Sequence, residues 1–146
     1  MEDLEKEKSM NRLIQGDVGS GKTIVALTSM LIAIDNGFQA CLMAPTAILS
    51  VQHYNGLSSL CKELKISISL LQGSTKTSSR RKIHERLENG SLDILIGTHA
   101  LLEDKVKFKN LGLAIIDEQH RFGVAQRSKL WYKNTYPPHV LVMTAT

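Results

Sequence analysis

The sequence predicts a three-layer α/β domain, in which a mainly parallel sheet lies between two layers of helices. Three observations predict it. Short apolar runs alternate with helical segments along nearly the whole chain. The runs are continuously apolar, as is typical of parallel strands whose two faces are both covered. A glycine-rich turn stands between the first apolar run and the helical segment that follows it.

The predicted strands are short, and the helices between them end at turn-forming residues. We predict strands over residues 10–15, 39–44, 66–71, 93–97, 111–116 and 140–143. We predict helices over residues 23–36, 47–64, 79–88 and 124–131. Gly37 directly follows the first of these helices and Asn89-Gly90 follows the third, and glycine commonly ends a helix.

The sequence predicts whether side chains are buried or exposed in three parts of the chain. The first helix is apolar nearly all round, which predicts burial against the sheet. Residues 103–109 alternate charged with apolar side chains and are predicted to form an exposed connection. Cys41 and Cys61 show no metal-ligand spacing, so we expect two reduced, buried thiols.

Length and composition are those of one soluble domain. The chain has 146 residues, 42% of them hydrophobic and 22% charged. The net charge of +4 permits a polyanionic partner without requiring one. No run approaches the roughly 18 apolar residues of a membrane span, and the start does not resemble a signal peptide. We therefore expect a cytoplasmic protein whose residues 1–9 form a charged tail or a fraying helix.

The glycine-rich turn is Gly16-Asp17-Val18-Gly19-Ser20-Gly21-Lys22-Thr23, which fits the phosphate-binding pattern G-x-x-x-x-G-K-[ST] at every fixed position. Glycines let the backbone N–H groups, together with the start of the next helix, form a cradle for an anion. Lys22 places a positive charge on the β- and γ-phosphates, and the Thr23 hydroxyl is a Mg²⁺ ligand. The pattern therefore predicts a site for a nucleoside triphosphate and Mg²⁺.

An acidic pair follows the fifth predicted strand. Asp117 stands at the carboxyl end of an apolar run, the place where parallel α/β sheets carry ligand chemistry. In phosphate-loop enzymes a carboxylate there holds Mg²⁺, and Glu118 can polarise the attacking water. His99 and His120 have no partner at metal-ligand spacing, which excludes them as metal ligands. His53 is predicted to be a packing or surface residue.

Several further motifs are specific enough to indicate a family. They are Met43-Ala44-Pro45-Thr46, Gln52-His53-Tyr54, Gly73-Ser74-Thr75-Lys76, Gly97-Thr98-His99-Ala100-Leu101, Ile115-Ile116-Asp117-Glu118-Gln119-His120-Arg121-Phe122-Gly123-Val124 and Val142-Met143-Thr144-Ala145-Thr146. With these motifs and the phosphate loop, the chain resembles the superfamily 2 helicases, and within them the RecG-type ATP-dependent DNA helicases. The resemblance covers nearly the whole chain from Met10 on.

The resemblance implies a P-loop NTPase domain of the RecA-like fold that binds ATP and Mg²⁺ and acts on branched DNA. It implies catalytic roles for Lys22, Asp117, Glu118 and His120, with Thr23 and Asp117 at the metal. It implies DNA contacts from Pro45, Thr46, Gly73, Ser74, Thr98 and His99. It implies that Gln119, Thr144 and Thr146 couple the nucleotide site to DNA movement. Such contacts reach DNA phosphates and do not read the base sequence.

The sequence departs from the family pattern in two ways. Residues 1–9 lack the glutamine motif that reads adenine in the family, and the chain stops at the third helicase motif. We therefore expect residues 10–146 to be the first RecA-like domain of a longer parent chain. On this expectation, the second RecA-like domain, with its arginine finger, and the wedge domain belong to other parts of that parent chain. Because arginine fingers contribute about 10³ to 10⁵ in rate, we expect the fragment alone to be nearly inactive.

Other functions stay open at this point. One alternative is a related double-stranded DNA translocase of the transcription-repair coupling type. Another is a non-catalytic P-loop binding module, which would keep the fold without turnover. A kinase or a GTPase-like switch is disfavoured because its acceptor-site or guanine-reading residues are missing. The basic residues Arg80, Arg81, Lys82 and Arg86 form either a DNA patch or, as we favour, a solvated helix face.

Overall fold

The computed structural model describes residues 20–103, 105–117 and 138–143, with the backbone alone at residues 20–23 and 143. Within these ranges the elements are α1 (Ser20–Asp35), β1 (Gln39–Met43), α2 (Ala47–Glu63), β2 (Ile68–Leu71), α3 (Thr77–Asn89), β3 (Ile94–Gly97), a 3-10 helix (His99–Leu102), β4 (Leu111–Asp117) and β5 (His139–Met143). The strand predicted over residues 10–15 and the helix predicted over residues 124–131 lie outside the described residues.

The five described strands form one parallel sheet in the order β2-β3-β1-β4-β5. Parallel neighbours need a connection that crosses back over the sheet, and helices supply several of these connections. β1 lies in the middle, where Cys41 pairs with Leu95 on one side and with Ala114 on the other. The predicted α/β class, a mainly parallel sheet flanked by helices, is confirmed.

The core lies on both faces of the sheet, because successive residues of a strand point to opposite sides. Ala40 and Leu42 of β1 pack on the side of α1 and α2. Cys41 and Met43 pack on the side of α3 and the segment after β3. The first core includes Met30, Leu57, Cys61, Ile96 and Ile115, all buried. The second includes Ile83, Leu87, Leu95, Leu101, Val106 and Phe108.

The predicted helix ends agree with the structure to within a few residues. α1 ends just before Gly37, whose φ is +87°, and α3 ends at Asn89, directly before Gly90, whose φ is +85°. Both angles lie in the left-handed region that favours glycine, so both predicted stops are confirmed. At the start of α2, the Thr46 hydroxyl accepts a hydrogen bond of 3.2 Å from the Leu49 N–H and caps the helix.

The prediction that residues 103–109 form an exposed connection is wrong for the apolar side chains. Val106 is fully buried and Phe108 is 7% exposed, and both belong to the core beside α3 and β4. The Lys109 N–H donates to the Leu87 carbonyl at 3.0 Å, which holds the segment against α3. Successive side chains of this segment point to opposite sides, as they do along a strand. The lysines therefore face outward and the two apolar side chains face inward.

The prediction that the first helix is buried against the sheet is confirmed, and only one side of the helix is buried there. Ala26, Leu27 and Met30 of α1 are buried, but Ile24 is 59% exposed and Val25 is 37% exposed. A helix on one face of a sheet buries only the stripe that contacts the sheet. Composition alone could not identify that stripe, because apolar residues occupy the other sides of α1 as well.

The two cysteines match their prediction, since Cys41 and Cys61 are both buried and reduced. Burial raises the pKa of the Cys61 thiol, and the nearby Asp93 carboxylate raises it further. The thiolate that would react with oxidants or alkylating reagents is thereby suppressed. In the part of the chain that the structure describes, no helix has the length and apolar character needed to cross a membrane.

Candidate functional site

The carboxyl ends of four strands meet along one edge of the sheet, which we call the carboxyl edge. Gly97, the last residue of β3, pairs with Met43 at the end of β1 and with Leu71 at the end of β2. Met43 also pairs with Ile116, one residue before the end of β4. Because these strands are parallel and in register, the residues after them emerge side by side. They include the predicted site residues Pro45, Thr46, Gly73, Ser74, Thr98 and His99, and Asp117 is itself the last residue of β4.

Two threonine hydroxyls at the carboxyl edge bond to the backbone of their own loop. Thr46 caps α2 as described above, and its side chain is exposed. The Thr98 hydroxyl accepts from the Ala100 N–H at 3.4 Å, and Thr98 is only 8% exposed. Gly73, Ser74 and His99 are exposed. The edge therefore combines locally fixed turns with polar groups that a ligand can reach.

Arg80 of α3 holds the loop that follows β2. Its Nη2 donates to the Gln72 carbonyl at 2.6 Å and to the Gly73 carbonyl at 3.2 Å, and its Nη1 lies 3.6 Å from the Glu103 carboxylate. Arg80 therefore belongs to the structure of the loop and is not a free surface charge. The remaining basic residues of this helix are exposed, namely Arg81, Lys82 and Arg86.

Asp117 ends β4, and its carboxylate contacts a histidine from α2. His53 Nε2 lies 3.1 Å from Asp117 Oδ2, and the two side chains are 18% and 14% exposed. An ionised carboxylate can only accept hydrogen bonds, so this contact is a hydrogen bond in a form of His53 that carries a proton on Nε2. The contact joins two residues that are 64 positions apart in the chain.

The sequence did not predict the contact between His53 and Asp117. The sequence places His53 in a predicted helix and predicts a packing or surface residue there. The only sequence signal was the Gln52-His53-Tyr54 motif, which supported the family resemblance without a role for the imidazole. The fold decides the pairing, because it brings the second turn of α2 against the end of β4.

α1 starts on the side of the carboxyl edge. It ends at Asp35, and a short turn through Gly37 leads directly into β1 at Gln39, so its last turn lies at the opposite edge. A helix of 16 residues rises about 24 Å, which is enough to cross the sheet from one edge to the other. α1 packs on β1 and β4. Its first turn, with backbone N–H groups that can bind an anion, therefore lies on the same side as Asp117.

Several sequence-predicted site residues lie outside the described residues, and their roles stay predictions. They are Gly16, Asp17, Val18, Gly19, Glu118, Gln119, His120, Thr144 and Thr146. For Ser20, Gly21, Lys22 and Thr23 the structure describes the helical backbone alone.

One further histidine, away from the carboxyl edge, has a shifted pKa. Burial lowers the pKa of His84 on α3, and the positive charge of Arg80 adds to the effect. His84 Nε2 is buried and has no hydrogen-bond partner among the residues that the structure describes. A neutral imidazole is the form that such a position favours.

Comparison with known proteins identifies the family of the chain. A model of the DEAD/DEAH box helicase family matches residues 1–146. The ATP-dependent DNA helicase RecG of Synechocystis is 56% identical over 146 residues, which are 100% of this chain and 17% of that protein. The ATP-dependent DNA helicase RecG of Aquifex aeolicus is 50% identical over 147 residues, 100% of this chain and 19% of that protein. The chain thus spans less than a fifth of the length of these relatives.

A solved structure has the same fold. The structure of RecG bound to a three-way DNA junction superposes with a TM-score of 0.81 at 47% sequence identity. The match covers 94% of this chain and 18% of that one. The resemblance to RecG-type helicases and the predicted RecA-like fold are confirmed.

Proposed function

The chain belongs to the DEAD/DEAH box helicase family, and we propose that it is the ATP-binding motor domain of an ATP-dependent DNA helicase that remodels branched DNA. The observation that carries this proposal is the carboxyl edge, where Asp117 lies with the loops of the predicted DNA contacts. A relative is solved on a three-way DNA junction, which supports branched DNA as the substrate class. Because the chain spans less than a fifth of its relatives, helicase activity belongs to the longer protein.

The nucleotide site is assigned to the phosphate loop and Asp117. The residues from Gly16 to Thr23 hold the phosphates, and Lys22 neutralises their charge. Mg²⁺ prefers oxygen ligands and takes most of them from phosphates and water, so one carboxylate and one hydroxyl suffice from the protein. Asp117 fits this demand, since its carboxylate lies at the carboxyl edge and is partly exposed. Thr23 is the proposed hydroxyl ligand. When bound, the ion would offset the charge that develops on the phosphates.

Hydrolysis and coupling are assigned to residues next to Asp117 and at the end of the chain. Glu118 and His120 orient and polarise the attacking water, a role that suits side chains directly after a metal-binding carboxylate. Gln119, Thr144 and Thr146 couple the nucleotide state to DNA movement, as the family resemblance implies. Residues 144–146 follow β5 in the sequence, and β5 pairs with β4, the strand that ends at Asp117.

DNA contacts are assigned to the loops of the carboxyl edge. Gly73, Ser74 and His99 are exposed there and can reach a phosphate. The hydroxyls of Thr46 and Thr98 are already bonded to their own backbone, so we assign their contacts to backbone N–H groups. The first turn of α2 adds N–H groups that have no partner within the helix, which suits an anionic strand. Such contacts are independent of base sequence.

Calorimetric titration of Mg-ADP and Mg-ATPγS into the protein tests the nucleotide site. Lys22→Ala removes the charge-assisted contact to the phosphates and is expected to weaken binding by about 10- to 100-fold. Lys62→Ala, an exposed lysine on α2, is the matched control and should bind like the unmodified protein. Equal binding by the unmodified protein and Lys22→Ala would refute the assignment. We also expect the chain alone to hydrolyse ATP very slowly and to unwind no DNA.

A further inference from the structure

The contact between His53 and Asp117 connects two parts of the proposed site. α2 begins at the candidate DNA contacts Pro45 and Thr46, and it packs mainly on β2 and β3. Asp117 ends β4, on the far side of β1 from those strands. His53 of α2, the helix that begins at the candidate DNA contacts, therefore contacts the Asp117 carboxylate of the proposed nucleotide site. The distance between His53 Nε2 and Asp117 Oδ2 is 3.1 Å.

The geometry suits a group that fixes the direction of the carboxylate. Both side chains are largely shielded, at 18% and 14% exposed, so water competes weakly for this hydrogen bond. A carboxylate that accepts a bond through one oxygen has its plane restricted, which sets the direction of both oxygens. Hydrogen-bond partners of metal ligands commonly act in this way, and their loss typically costs about 10- to 100-fold in metal affinity.

We propose that His53 is a positioning residue, which holds the Asp117 carboxylate in the orientation that the Mg-nucleotide requires and so links α2 to the nucleotide site. The proposal rests on the nucleotide site proposed above. It also couples DNA binding to nucleotide binding. If DNA shifts α2, His53 moves with the helix and changes the hydrogen bond that it donates to Asp117. Such coupling is reciprocal, so a bound Mg-nucleotide would in turn favour one position of α2.

Two substitutions at His53 separate positioning from packing. His53→Leu fills a similar space without a hydrogen-bond donor, whereas His53→Gln keeps an N–H donor near the position of Nε2. Asn55→Ala, an exposed change on the same helix, is the control. Calorimetry then gives the Kd of ADP for each protein, once with Mg²⁺ and once with EDTA.

We expect His53→Leu to weaken Mg-ADP binding by about 10- to 100-fold while ADP binding in EDTA stays unchanged. His53→Gln should restore most of the affinity for Mg-ADP. A role in packing alone would weaken both kinds of binding alike and would not be rescued by glutamine, which would overturn the proposal. Unchanged Mg-ADP binding by His53→Leu would overturn it as well, while the nucleotide site would stand. If the unmodified protein does not bind Mg-ADP, the proposed nucleotide site itself is refuted.

A measurement on the unmodified protein covers the case in which His53→Leu does not fold. Nitrogen NMR of the imidazoles should show a shift of the His53 signal when Mg-ADP is added, because the Asp117 carboxylate that accepts its hydrogen bond then also binds Mg²⁺. His84, on α3 against the other face of the sheet, provides the reference signal and should stay in place. A His53 signal that does not move while Mg-ADP binds would contradict the proposal.

Discussion

The two edges of the sheet use their polar side chains in different ways. At the edge where the strands begin, which we call the amino edge, Gln39 is 4% exposed and bonds three separate parts of the chain. Its Nε2 donates to the Leu87 carbonyl at 3.0 Å and to the Leu92 carbonyl at 2.8 Å. Its Oε1 accepts from the Asn110 N–H at 2.8 Å. One side chain thus ties the end of α3 and the approach to β4 to the start of β1.

A second cross-link at the amino edge joins the starts of β2 and β3. The Ser67 N–H and hydroxyl donate to Asp93 Oδ2 at 3.1 and 3.2 Å, and the Asp93 N–H donates to the Ser67 hydroxyl at 2.9 Å. At the carboxyl edge, by contrast, the Thr46 and Thr98 hydroxyls bond only two or three residues away. At the amino edge these polar groups therefore bond distant parts of the fold to one another, whereas several polar groups of the carboxyl edge stay accessible to ligands.

The largest effect is expected at the amino edge, from Gln39→Leu. The change leaves the Leu92 carbonyl and the Asn110 N–H without the partners that Gln39 supplied, and each such buried group costs about 1–3 kcal/mol. We expect the free energy of unfolding to fall by about 3 kcal/mol, as measured by urea denaturation. Gln52→Leu, at an exposed position, is the control and should stay within about 0.5 kcal/mol. A loss below about 1 kcal/mol would contradict a structural role of the amino edge.

A smaller effect is expected at the carboxyl edge from Gly97→Ala, which tests close backbone packing there. An added Cβ would overlap the Leu71 carbonyl oxygen and would lie 3.0 Å from Leu101 Cδ2. Forcing β2 and β3 apart should cost about 1–3 kcal/mol of unfolding free energy. Gly56→Ala is the matched control, because it lies inside α2 with no atom within 4 Å of its Cβ. It should stabilise the protein by about 0.5–1 kcal/mol, and a stabilising Gly97→Ala would disprove the tight approach.

The smallest effect is expected from Thr46→Ala, which tests whether the Thr46 hydroxyl stabilises α2 or binds DNA. Loss of the cap should lower the unfolding free energy by about 1 kcal/mol. Because the hydroxyl is engaged with Leu49, DNA affinity at constant salt should change little, whereas Thr46→Ser should preserve both properties. A large loss of DNA affinity in Thr46→Ala without a loss of stability would instead show that the hydroxyl itself binds a phosphate.

The order of elements and much of the candidate site could be predicted from local sequence. The turns at Gly37 and Gly90 follow from backbone angles that favour glycine. The side-by-side arrangement of Pro45, Thr98 and Asp117 follows from parallel strands, since the carboxyl ends of such strands share one edge. The cross-links of Gln39 could not be predicted, because nothing near that residue in the sequence indicates its partners.

The sequence by itself determined the α/β alternation, the phosphate-loop pattern and the helix ends, because each depends on residues within about one turn or strand of one another. The tertiary structure alone decided which side of α1 is buried and that Val106 and Phe108 enter the core. It also decided that His53 meets Asp117 across 64 positions. These outcomes depend on which elements lie next to each other, and that choice is made by the packing of the whole sheet against its helices.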